Sequence, residues 1–213
     1  MDSRCRYTAA CQNARSAAWT ITYGDINMAI MELAGRTLIA SRPTESEFVP
    51  YYSRYISLVP ESDVLAVLET QLAQIEHIAG SIPPDREKYR YAAGKWSIRE
   101  VFGHLVDGER VFGYRAFCIS RGEAAPLPSL DQNAYVAESY YDERSLSDLT
   151  AELMWLRKSN LACLRHLTDA EWKRMGTASN NPVSVRALTF IMAGHIRHHF
   201  TVLRTVYGVS SGS

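Results

Sequence analysis

The chemistry-bearing pattern in this chain is carried by its histidines. His195 and His199 stand four apart in a stretch of helical periodicity. About 40° then separates them around the axis, and both imidazoles reach toward one ion. His104 belongs to an earlier periodic stretch, seven residues after Ser97, and His199 lies eight residues before Tyr207. At about 1.5 Å per residue both sit roughly 10–12 Å from a helix end, so they share a level if the two helices run antiparallel. Three neutral imidazoles on one divalent metal ion leave coordination positions open, the pattern of a reactive site rather than a closed structural one. Imidazole suits zinc, nickel, iron and copper alike; availability makes zinc the first expectation, with nickel or manganese as alternatives. Such an ion lowers the pKa of a bound water or thiol and supplies an anionic nucleophile at neutral pH. His198 points about 100° away from His199 and is read as flanking. His77 and His166 fall near helix C-termini, where a histidine commonly meets the negative end of the dipole.

Other residues near this group are candidates for lesser roles. Asp107, three after His104, is the candidate catalytic carboxylate, placed to orient a ligand, accept a proton or pair with Arg110 or Arg197. Glu100 is already explained by a capping box with Ser97. Tyr52 and Tyr114 are candidates for lining a pocket, as are Trp96, Tyr55 and Tyr135, although core or rim packing accounts for aromatics equally well. Asp131 and Gln132, with Asn133, sit in a long connection and are candidates for cofactor or substrate binding.

Four helical patterns must position these groups. Leu65, Leu68, Leu72, Ile75 and Ala79 recur at three- and four-residue steps until Gly80, Pro83 and Pro84 stop them. Ser97 opens a second helix running through Ile119 to Gly122, and Ser145 with Asp148 opens a third running to Leu164. The last starts after Pro182 with Ser184 as its cap and ends at Gly208. No stretch alternates with period two long enough to build a sheet, so the expected fold class is all-α. Residues 122–144 show no strong helical pattern and are long enough to be a crossover, which would make the second and fourth helices antiparallel. Residues 168–183 predict a short helix at Thr168–Trp172 followed by the breakers Gly176 and Asn180–Pro182, a segment able to fold over a bundle end.

Composition narrows the partners. Across 213 residues, 23 basic and 23 acidic side chains give no net charge, so neither nucleic acid nor an acidic membrane is an expected partner. The four cysteines, Cys5, Cys11, Cys118 and Cys163, show no C-x-x-C spacing, which argues against a disulfide scaffold or zinc ribbon and fits a cytoplasmic location. No apolar run approaches the length of a membrane span. Residues 1–43 read as a peripheral or disordered leader, with Met28 and Met31 as alternative internal starts. Residues 44–208 read as the helical domain and 209–213 as a tail.

The stretch from Tyr89 to Glu100, followed by His104-Leu105 and Asp107-Gly108-Glu109-Arg110, resembles the second-helix signature of the DinB-like superfamily. His195 to His199 resembles its last-helix signature. Glu47 to Tyr52 and the loop at Asp131-Gln132-Asn133 extend the similarity, which spans about residues 45–207. The resemblance implies a four-helix bundle of up-down-down-up order with a long crossover loop, and a divalent metal on His104, His195 and His199. It also implies a reaction class, since members of the superfamily include bacillithiol S-transferases and mycothiol-dependent isomerases. The expected function is therefore a metal-dependent enzyme of thiol S-transferase type, with a low-molecular-weight thiol and an electrophile as small-molecule partners. The alternatives are a metal-dependent hydrolase and a non-catalytic binding or stress-response protein. A homodimer is compatible with each.

Overall fold

The computed structural model describes residues 41–210; the expectations for residues 1–40 and 211–213 lie outside them. In chain order the helices are α1 (Ser53–Ile56), α2 (Val64–Gly80), α3 (Ile98–Ser120), α4 (Gln132–Glu138), α5 (Leu146–Leu164), α6 (Asp169–Trp172) and α7 (Val185–Thr205). A hairpin of β1 (Met175–Ala178) and β2 (Asn181–Ser184) precedes α7. The long helices start where the caps predict. Ser97 accepts from the Glu100 amide while Glu100 accepts from the Ser97 amide, and Ser145 and Ser184 cap α5 and α7 in the same N3 position.

Residue pairs along the helices fix their directions. Trp96, at the entry to α3, accepts a 2.8 Å bond from the Tyr207 hydroxyl at the exit of α7, so α3 and α7 are antiparallel. Glu109 pairs with Arg157 and Gly113 abuts Asn160, while Gly103 abuts Tyr141 just before α5; α3 and α5 therefore run parallel. Glu69 pairs with Arg165 at one end of α2, which sets α2 antiparallel to α5. Gln71 donates to Ala193 O and Arg86 to Tyr207 O, which sets α2 alongside α7. The order is up-down-down-up, and the segment between α3 and α5 is the crossover.

Two parts of the connections carry more structure than their sequence patterns suggest. The crossover contains α4, whose N-cap is Asp131 and whose Val136 is buried in the core. The breakers after α6 form the hairpin: Ser179 and Asn180 both have positive φ (51° and 59°), the conformation of a two-residue hairpin turn. The crossover docks on this hairpin, with Leu127 N bonded to Thr177 O (2.8 Å) and Ser179 N to Leu127 O (3.1 Å). At the other edge, Arg186 of α7 pairs with the buried Glu47 and also donates to Ser41, while Arg42 donates to Ile56 O (2.9 Å). Ser41 and Arg42, expected to belong to the leader, thus bond to the bundle.

Candidate metal centre

The antiparallel meeting of α3 and α7 brings the three predicted histidines together. One ring nitrogen from each of His104, His195 and His199 lies within 4.8 Å of the others, and the Nε2 atoms of His104 and His195 face each other at 2.9 Å. Ring centroids are 4.6–4.8 Å apart across the three pairs. Bond lengths of about 2.0–2.1 Å place tetrahedral ligands roughly 3.4 Å apart, which small side-chain rotations reach from here. Among the described residues, the buried His104 Nδ1 has no hydrogen-bond partner. Burial drives the imidazole pKa values down, to about 4 for His104 and well below the usual range for His195 and His199. Neighbouring imidazoles add to the effect. The rings are held neutral, with the lone pairs a cation needs. The donor set fits one divalent ion.

The surroundings fix the rings. Tyr55 stands edge-on to His195 with centroids 5.4 Å apart, and Phe112 does so at 5.5 Å. Tyr55 is brought there because Gly194 lets α1 press onto α7; a Cβ at Gly194 would lie 2.0 Å from Tyr55 O. His198 packs edge-on against the same Tyr55 at 5.4 Å and is outside the metal-capable group, as its angle on the helix implies. His104 and His195 open onto a cleft of about 150 Å³.

The DinB superfamily profile matches residues 68–203, more than half of the sequence and all three histidines. The chain belongs to the DinB superfamily. Among solved structures it is similar to YfiT from Bacillus subtilis, described as a probable metal-dependent hydrolase with an unusual four-helix bundle topology. The likeness has a TM-score of 0.62 at 22% identity and covers 79% of this chain and 94% of YfiT. No curated protein matches the chain in sequence.

Within this DinB-superfamily bundle the other candidate residues are divided. Tyr52 and Gln132 line the cleft beside His104 and His195. Asp131 instead uses its carboxylate as the α4 N-cap, accepting from Asn133 N (3.0 Å) and Ala134 N (3.2 Å). Tyr114 is exposed and borders a separate depression with Asn160 and Cys163. Asp107 turns toward the crossover and accepts a 2.7 Å bond from the Tyr141 hydroxyl; burial raises its pKa against the pull of that bond. It lies outside both the metal-capable group and the cleft lining.

Sequence reasoning missed Arg115, which continues the His104–Gly108–Phe112 face of α3 and also lines the cleft. The four-and-three spacing was the available signal. Ser179 and Leu130 complete the wall from distant segments, for which local periodicity offers no sign. A second unforeseen feature is a buried polar network. Arg157 donates to both Glu109 oxygens (2.8 and 2.7 Å) and to Gln71 (2.6 Å), with Asn160 also on Glu109 (2.8 Å).

Proposed function

We propose that this protein is a metal-dependent enzyme of thiol S-transferase type, in which His104, His195 and His199 hold one divalent ion, zinc first, beside a low-molecular-weight thiol. The observation that carries this reading is the composition of the cleft. Tyrosines, Phe112, Arg115, Gln132 and Ser179 border the histidines there, and no carboxylate is among the described lining residues. Metal-assisted hydrolysis commonly recruits a carboxylate base next to the ion. A thiol is acidic enough that proximity to a dication ionises it without such a base. When bound, the ion would supply that acidification and hold the sulfur at an open coordination position.

The chain's own residues do the rest. Burial keeps the three imidazoles neutral, Tyr55 and Phe112 fix the His195 ring, and the aromatic walls limit water around a reacting sulfur. A cytoplasmic setting, where Cys118 and Cys163 stay as free thiols, suits such a substrate.

YfiT's description favours a second reading, hydrolysis by an activated water on the same ligands. Incubating metal-loaded protein with small thiols and an electrophile, and following thiol loss, separates the two. Catalysed thiol consumption that disappears in His199→Ala supports the transferase. Ester or amide cleavage without thiol consumption supports the hydrolase, and thiol binding without turnover would leave a binding protein.

A further inference from the structure

Among the described residues Arg115 is the one cationic side chain lining the cleft, and its surroundings are unusual for a buried guanidinium. The residue is 3% exposed. Its Nη2 donates to Pro128 O (2.6 Å) and Ser179 Oγ (2.9 Å), both neutral acceptors, and the Tyr52 hydroxyl lies beside it. Among the described residues no carboxylate comes within ion-pair distance of it, although most of the other buried or half-buried arginines, such as Arg157, Arg186 and Arg99, are paired with one. Removing a guanidinium from water without a counter-charge is costly, so a buried arginine ordinarily carries its anion with it. Here no such anion stands among the described residues, and the group faces a cleft with no acid among its described lining residues.

Geometry adds direction. Arg115 lies seven residues past Gly108, about two helical turns, on the same face of α3. Helical side chains lean toward the N-terminus, so Arg115 leans back toward the histidines. A ligand reaching from the histidine cluster to the guanidinium must therefore be several bonds long. The crossover and the hairpin hold the guanidinium in place through Pro128 and Ser179 on Nη2, with the Tyr52 hydroxyl as a further partner, and its remaining N–H groups are left for an acceptor in the cleft. A carboxylate supplies both the acceptor oxygen and the negative charge that this guanidinium lacks.

We propose that Arg115 is the carboxylate-binding residue of the cleft, so that the substrate class is a small thiol bearing a carboxylate several bonds from its sulfur. The substrate class rests on the thiol reading above; the anion site itself does not. With neutral imidazoles, a dication and an unpaired guanidinium, the occupied cleft would carry a net positive charge, most of which a thiolate and a carboxylate together offset.

The test is calorimetric binding to zinc-loaded protein of three probes: 4-mercaptobutanoate, its amide 4-mercaptobutanamide, and pentanoate, which lacks sulfur. The carboxylate thiol is expected to bind at least about tenfold more tightly than the amide, in line with a charge-assisted hydrogen bond. Arg115→Gln should erase that preference and Arg115→Lys should keep part of it, with zinc content unchanged in both. Equal affinity for carboxylate and amide in the unaltered protein would overturn the proposal without any variant, as would a preference that survives Arg115→Gln. Arg115-dependent binding of pentanoate with no gain from the sulfur would support the anion site and overturn the thiol reading. Thiol binding indifferent to the carboxylate would do the reverse.

Discussion

Gly108 and His195 touch in a way no other residue at position 108 would allow: a Cβ there would stand 2.9 Å from the His195 Cε1 and 3.1 Å from its Nδ1. The glycine on α3 is the space into which an imidazole from α7 fits, and it lies one helical turn from His104. The close approach of these two helices and the convergence of the three rings are thus one packing event.

Gly108→Ala is expected to push the His195 ring off the other two. Metal affinity should fall at least about tenfold, while the gain in helix propensity limits the loss of stability to roughly 1–2 kcal/mol. Chelator competition and thermal melting check the two numbers separately. Unaltered affinity would mean that His195 moves freely and that its position is not set by α3.

The network around Arg157 sets a second expectation. Both side chains of the Glu109–Arg157 pair are essentially inaccessible, at 1% and 0%. Glu109→Met strands a buried guanidinium and should cost about 3–5 kcal/mol, whereas replacing both residues by methionine should cost far less than the sum of Glu109→Met and Arg157→Met. Urea denaturation of the four proteins gives the comparison. Additive losses would show that the pair is not coupled.

The acid limb of the stability curve should report Glu47. Burial pushes its carboxyl pKa up, but hydrogen bonds from Arg186, Thr44 and Ser184 outweigh burial and hold it at about 2, below the ordinary 4.5. A depressed carboxylate stabilises the fold above its unfolded pKa, and that stability drains away as pH falls from about 4.5 toward 2. Glu47→Gln should therefore flatten this part of the profile, measured as melting temperature against pH. An identical slope in the variant would assign the acid sensitivity to other groups.

The bundle was legible because its signals are local. Ser97, Ser145 and Ser184 each mark a helix start through a side-chain bond that spans only three residues, and the histidine spacing on α7 states its own geometry. Depth alone tied the α3–α7 direction to a condition, since His104 and His199 share a level only if these helices are antiparallel, and the up-down-down-up order was what the DinB-like resemblance implied. The hairpin was not legible. Its Ser179–Asn180 turn is stabilised by the backbone of Leu127, some fifty residues earlier, so the segment read as breakers alone. Asp131 was visible as a polar loop residue, but without α4 its capping role was not. Asp107 shares a helix with His104, yet three residues is enough rotation to send it to Tyr141. Arg115 shows the converse error, because attention to acids and histidines passed over a cation on the same face.

The most direct test of the whole account is the metal content of protein purified without a histidine tag, in the native sequence and in four alanine variants. One divalent ion per chain is expected in the native protein, lost in His104→Ala, His195→Ala and His199→Ala and retained in His198→Ala, whose ring packs on Tyr55 outside the group. A native protein that binds no stoichiometric ion after reconstitution, or equal loss from all four variants, would contradict it.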